Sequence, residues 1–267
     1  MPDDIEFHIE FKKIGMHYSH SSHSTIPKDY TTDTNTGTGL YDMPESYIDT
    51  PLVSDSDSLA IAPDDSVHDV IIPTTFAPDR SHQRILFIGD SMLEGLSLRL
   101  NDYAAQDDNY LMTVVWYASG TRHWGGTDSL SMLIKRYKPT YIFISCGGNE
   151  LRSRDVEGLK PYIKNIVNTM GDIPFVWIGP PNWREDTGIN DAIREIVGEG
   201  RYFDSKHLEL QRKSDHIHPT DVAAAYWMDS IARWTCSPQN AHPIQMTYPT
   251  VKAQKRNLRV FKRATNI

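Results

Sequence analysis

From Arg84 to Trp234, short apolar runs bounded by turn residues alternate with amphipathic stretches, and no other feature of the chain constrains its fold so tightly. RILFIGD (84–90), LMTVVWYA (111–118), TYIFISC (140–146), PFVWIG (174–179) and the short RYFDS (201–205) read as strands. Residues 92–104, 127–137, 156–170, 188–198 and 219–234 carry a helical pattern, with Pro161 disturbing or restarting the third helix. The early strands are almost wholly apolar rather than alternating, which suits a parallel sheet buried on both faces. The expectation is an α/β fold, a three-layer domain of about 150 residues built on a five-stranded parallel sheet.

The flanking segments differ in character. Residues 5–11 (IEFHIEF) alternate and place Ile5, Phe7, Ile9 and Phe11 on one side of a short predicted strand. From Asp29 to Asp79 there is no Lys or Arg, but eleven acidic residues lie among Ser, Thr, Pro and Gly. Such a stretch buries too little apolar surface to offset its own ordering entropy. It reads as a flexible linker, or as an arm held by a partner surface. The C-terminal run VKAQKRNLRVFKRATNI carries Lys252, Lys255, Arg256, Arg259, Lys262 and Arg263 and no acid. It reads as a solvated tail, as a segment lying on the acidic arm or another subunit, or as a contact for a polyanion. Three parts are expected: an N-terminal strand and acidic arm (1–81), the α/β domain (82–236) and a basic tail (237–267). A protein partner or assembly ordering 1–81 and 237–267 is part of that reading.

Composition narrows the classes further. With 267 residues, 39% of them hydrophobic, the chain suffices for one ordinary α/β domain with extensions. The net charge of −8 argues against a general nucleic-acid binder and leaves only the basic tail for such a contact. Two cysteines, Cys146 and Cys236, exclude a disulfide framework and a Cys-rich zinc module. No stretch approaches about 18 consecutive apolar residues, so no transmembrane segment is expected. The opening MPDDIEFHIEFKK lacks the apolar core of a secretory signal. The settings left open are the cytoplasm, release from a precursor, delivery by another route, or a virion or envelope assembly.

In open α/β sheets ligands bind outside the carboxyl ends of the strands, so the residues just after each strand hold the interest. Gly89-Asp90-Ser91 follows the first, and places a hydroxyl and its own N–H at the mouth of a helix. Ser119-Gly120-Thr121 follows the second, and Gly147-Gly148-Asn149-Glu150 follows the third. Asp215-His216-Ile217-His218-Pro219 follows the last; Asp215 and His218 are three apart and can face the same way. These parts fit nucleophilic catalysis. A serine hydroxyl needs an adjacent base, an imidazole is that base near neutral pH, and a carboxylate fixes its tautomer. The N–H groups of Ser91 and Gly120 and the Asn149 amide can supply three donors to an oxyanion.

The set Gly89-Asp90-Ser91, Gly120, Gly147-Gly148-Asn149-Glu150 and Asp215-x-x-His218 resembles the SGNH (GDSL-like) hydrolase superfamily, in family order over 84–234. The resemblance implies a flavodoxin-like three-layer α/β/α sandwich with Ser91 as nucleophile, His218 and Asp215 completing a triad, and Ser91, Gly120 and Asn149 forming the oxyanion hole. It implies no metal and no cofactor. It also implies a carboxylic ester hydrolase acting on an acyl ester, with an O-acetylated carbohydrate as the favoured substrate; an O-acetyltransferase would use the same triad. The SGT-x-x-W run at 119–124 is similar to a bacterial branch linked to envelope and polysaccharide modification. Two positions depart from the family pattern. Ala118 stands where an Asn is usual, and Glu150 stands where an Asp is usual; both bear on how the loops are tied. A reading from a different class remains beside this one: a structural or assembly protein of a virion or envelope that carries the domain as an appendage.

Other residues take duller readings. Arg122, His123, Trp124 and Trp183 are candidates to shape the substrate pocket, with plain packing as the alternative. His216 competes with His218 for the role of base, but His218 has the spacing of the family. His17, His20 and His23 have a spacing that suggests metal, yet lack a carboxylate framework and read as part of a polar arm. Cys146 reads as core, and Asp90 as a hydrogen-bonder within its turn.

Overall fold

The computed structural model describes residues 76–261. The strand expected at 5–11, the acidic arm up to residue 75, the histidines at 17, 20 and 23, and Lys262 and Arg263 lie outside the described residues. The apolar runs become β1 (Arg84–Gly89), β2 (Tyr110–Val115), β3 (Tyr141–Ser145), β4 (Phe175–Ile178) and β5 (Tyr202–Phe203). The amphipathic stretches become α1 (Leu93–Gln106), α3 (Ser129–Tyr137), α4 (Lys160–Met170), α5 (Ile189–Val197) and α6 (Asp221–Thr235). A further five-residue helix, α2 (Thr121–Gly125), follows β2 and is too short to announce itself by a period. Pro161 sits in the first turn of α4, where its missing N–H costs nothing, so it starts that helix rather than breaking it.

The sheet has six parallel strands rather than the expected five, in the order β5-β4-β3-β1-β2-β6. The sixth strand, β6 (Leu258–Val260), comes from the basic C-terminal segment. Leu258 and Val260 alternate with Arg259 inside a cationic run, and the ladder that makes them a strand is supplied from far away by Thr113–Val115. On the way to β6 the segment crosses α1. Lys252 Nζ lies 2.9 Å from Asp102 Oδ2, the Ala253 N–H donates to Asp102 Oδ1 at 2.9 Å, and the Thr113 N–H donates to the Asn257 carbonyl at 2.8 Å. Residues 237–261 are therefore tied to the sheet and to α1.

Side-chain alternation along the strands makes two cores. Leu86, Ile88, Val114, Ile142, Ile144 and Trp177 face α3, α4 and α5, where Leu133, Ile163, Ile166 and Ile193 cover them. Ile85, Phe87, Val115, Phe143, Val176 and Ile178 face α1 and α6 and meet Leu93, Leu96, Leu100, Trp227 and Ile231. This is a three-layer α/β/α sandwich. Without β6 the strand order is that of the flavodoxin type, with the switch point between β1 and β3.

The register gathers the loops. Gly89 is level with both Val115 and Ser145, Ser145 with Ile178, and Ile178 with Phe203, so the carboxyl ends of the strands form one rim. Gly89 is needed there, because its φ is 156° and a Cβ would lie 1.9 Å from the Ser145 carbonyl oxygen.

Candidate active site

Past Gly89 the chain is pinned by two backbone hydrogen bonds. The Asp90 N–H donates to the Ser145 carbonyl at 3.2 Å, and the Trp116 N–H donates to the Gly89 carbonyl at 2.8 Å. Asp90 is buried, and its Oδ1 accepts the Met92 N–H at 3.0 Å. Burial pushes its carboxyl up to about 7, against the opposing pull of that N–H and of His218. The turn leaves Ser91 half-buried at the entrance to α1, where the first N–H groups have no intrahelical partner.

The opposite side of the site is built by a self-closing loop. Asp215 Oδ1 accepts the backbone N–H groups of Ile217 at 2.8 Å and His218 at 2.9 Å. His216 takes a left-handed φ of 58° to complete the turn, and its side chain is exposed. The Lys213 N–H reaches the His218 carbonyl at 2.8 Å, and Arg212 donates to the Ile217 carbonyl. Thr220 caps α6 through its hydroxyl. The result is that the His218 ring is aimed rather than free: Nδ1 lies 2.7 Å from Asp215 Oδ2, and Nε2 lies 2.8 Å from Ser91 Oγ. It is thus His218 and not His216 that meets the serine. Asp215 is held well below the usual carboxylate range, first by the His218 hydrogen bond and then by the two backbone N–H groups. An ionised Asp215 favours the tautomer with the proton on Nδ1, so that the Ser91 hydroxyl donates to Nε2.

The loops after β2 and β3 are joined by side chains. Asn149 stands in a 3-10 turn (Gly148–Glu150), is exposed, and donates one amide hydrogen to the Ser119 carbonyl at 2.9 Å. A primary amide has a second hydrogen to give. Glu150 accepts the Thr121 N–H at 2.8 Å and the Thr121 hydroxyl at 2.9 Å. Gly120 is extended and needs no special backbone freedom, but it needs space: a Cβ there would lie 2.6 Å from the Glu150 carboxyl carbon. The Gly120 N–H donates to His123 Nδ1 at 3.1 Å.

The pocket candidates divide. Trp124 is 1% exposed, donates from Nε1 to Ser119 Oγ at 3.0 Å and packs on Trp116 and Phe261. It belongs to the core beneath the loop and cannot touch a substrate there. Arg122 is exposed, lies over the Tyr162 ring and is 3.8 Å from Asp155. His123 is exposed and meets Trp116 edge-on. Trp183 is half-buried against both cores, with the Arg184 guanidinium 4.0 Å from its ring centre. Cys146 is fully buried, and burial pushes its thiol up. Among the described residues no group of three or more His, Cys, Asp or Glu could hold a metal ion, and no helix is long and apolar enough to cross a membrane.

The sequence did not point to Glu150 as the clamp on Thr121, or to Arg212 as a brace of the histidine loop. The only signal for the first was the unusual Glu after Asn149. The second had none.

No protein-family model matches the chain, and no curated protein matches it. Solved structures that are similar include an acetyl xylan esterase, AlAXEase, at 14% identity and a TM-score of 0.43, covering 55% of this chain and 96% of that one. A G-D-S-L family protein from Desulfitobacterium hafniense DCB-2 aligns at 14% identity and a TM-score of 0.41, over 56% of this chain and 98% of that one. A gut microbial diltiazem-metabolizing enzyme, BT4096, aligns at 14% identity and a TM-score of 0.31, over 46% and 34%.

Proposed function

We propose that this chain is a serine esterase of the SGNH type that hydrolyses an acyl ester, with an O-acetylated carbohydrate as its substrate class. The observation that carries the reading is the continuous relay Asp215–His218–Ser91, with contacts of 2.7 and 2.8 Å. These lie within the reach required of an orienting acid, a base and a nucleophile.

In this reading His218 Nε2 takes the proton as Ser91 Oγ attacks the acyl carbon, and Asp215 stabilises the imidazolium that results. The oxyanion forms opposite the Ser91 N–H and the free hydrogen of the Asn149 amide, with Gly120 as a third donor. His218 then protonates the leaving alcohol, which departs and leaves an acetyl-Ser91. Water attacks that ester with His218 again as base, and acetate and free Ser91 are released. An acceptor hydroxyl in place of water would give an O-acetyltransferase. The side chains of His218 and Asp215 are 32% and 44% exposed, so the relay lies on an open rim. An open rim suits a short acyl group on a bulky sugar better than a long chain that needs an apolar tunnel.

The test is hydrolysis of p-nitrophenyl acetate and of an acetylated xylo-oligosaccharide by the wild type and Ser91→Ala. Turnover by the first and none by the second is expected. Equal rates, or none in either, would remove the esterase reading.

A further inference from the structure

The Gly120 N–H is already engaged. It donates to His123 Nδ1 at 3.1 Å. His123 is the third residue of α2, and its ring reaches back to the residue that precedes the helix, the place that Glu or Gln fills in a capping box. The ring is exposed to solvent on one side and braced by Trp116, at a centroid distance of 5.3 Å and an interplanar angle of 72°. Behind it, Glu150 grips the Thr121 N–H and hydroxyl, so the helix start is held independently of the histidine.

A backbone N–H has one hydrogen and cannot serve an imidazole and an oxyanion together. We propose that His123 is a positioning residue that occupies the Gly120 donor in the resting site and yields it when a substrate displaces the ring. This rests on the esterase reading. The resting oxyanion site then has two donors, from Ser91 and Asn149. The third is delivered only to substrates bulky enough to turn the imidazole toward solvent, so His123 selects against small esters. The histidine works as an acceptor in this role, with its proton on Nε2.

A small fluorophosphonate tests this, because its oxygen occupies the oxyanion position. The Ser91 Oγ–P bond forms as the P–F bond breaks, fluoride leaves, and the serine proton passes to His218. Labelling is followed by mass in the wild type, Ser91→Ala, His123→Ala and His123→Gln, and the Gly120 amide is followed by NMR. Ser91→Ala should not label. His123→Ala should label about three- to tenfold faster than wild type, the worth of one neutral hydrogen bond. His123→Gln, which restores an acceptor at the capping position, should return to within about twofold of wild type. The Gly120 resonance should stay in place when this small probe phosphonylates the wild type, whose His123 still holds the N–H, and should move when it phosphonylates His123→Ala. Labelling of His123→Ala at the wild-type rate or slower, or a Gly120 amide in that variant indifferent to the adduct, would reduce His123 to a helix cap. Failure of the wild type itself to label would remove the esterase reading, and the gate with it.

Discussion

Glu150 accepts both the backbone N–H and the hydroxyl of Thr121, at 2.8 and 2.9 Å, and so fastens the turn after β3 to the start of α2. The clamp fixes the loop that carries Gly120 beside the one that carries Asn149. Glu150→Ala strands a backbone N–H and removes a charged acceptor, each costly when partly buried. The expected loss is about 2 kcal/mol of stability in urea unfolding, with kcat falling at least about tenfold as the donors drift apart. Unchanged kcat with reduced stability would show that the clamp does not position the site.

Ala118 is held at a φ of 54°, in the left-handed region that a Cβ disfavours. This is the place where the SGNH pattern has an Asn, a residue that tolerates that conformation. Ala118→Asn should therefore raise stability by about 0.5–1 kcal/mol, read as a higher midpoint in urea at an unchanged slope. A lower midpoint would mean that the space around residue 118 cannot take the amide.

Asp215 is an acceptor of three hydrogen bonds, one from the His218 ring and two from backbone N–H groups. Asp215→Asn keeps the shape but offers a donor where the ring needs an acceptor, and so favours the wrong tautomer. The expected loss is about 10³–10⁴-fold in kcat with the fold retained. The pH dependence follows from the lowered pKa. The carboxylate's contribution to stability is fully present above its unfolded value of about 3.9 and disappears as pH falls through its lower folded value. The stability gap between wild type and Asp215→Asn should thus be present at pH 5 and close only in strong acid, below the carboxylate's unfolded value. A gap already closed at pH 5 would contradict the ionised relay.

Asp90 runs the other way. Its folded carboxyl is pushed up to about 7 by burial, so the folded chain binds its proton more tightly than the unfolded chain does. Between about pH 4 and 7 this makes stability fall as pH rises, with the full penalty present above 7. Asp90→Asn removes that slope, and urea midpoints measured across the range should show the wild type declining relative to the variant. Parallel curves would show that Asp90 is ionised throughout.

How much of this could be read from the chain depends on how local each feature is. β1 to β4 are set by apolar runs bounded by turns and their helices by runs long enough to show a period, and the segments after β1, after β3 and before α6 bring Ser91, Asn149 and His218 to one rim. The pairing of Asp215 with His218 is written in their three-residue spacing. β6 was hidden because Leu258 and Val260 are three residues' worth of pattern inside a basic run, completed only by the distant edge of β2. Trp124 lies near Gly120 in sequence and so read as pocket-lining, but it points into the core, a matter of side-chain direction that spacing cannot carry. The capture of the Gly120 N–H by His123 and the Glu150 clamp likewise depend on rotamers and on contacts between loops.

The relay makes one covalent demand. Incubation with p-nitrophenyl acetate, an acid quench during turnover and peptide mass mapping should place one acetyl group on Ser91 of the wild type. The same treatment of Ser91→Ala and His218→Ala should leave that peptide unmodified. Acetyl on Ser91 that forms equally without His218, or its absence from a wild type that still turns over the ester, would contradict a serine nucleophile driven by that histidine.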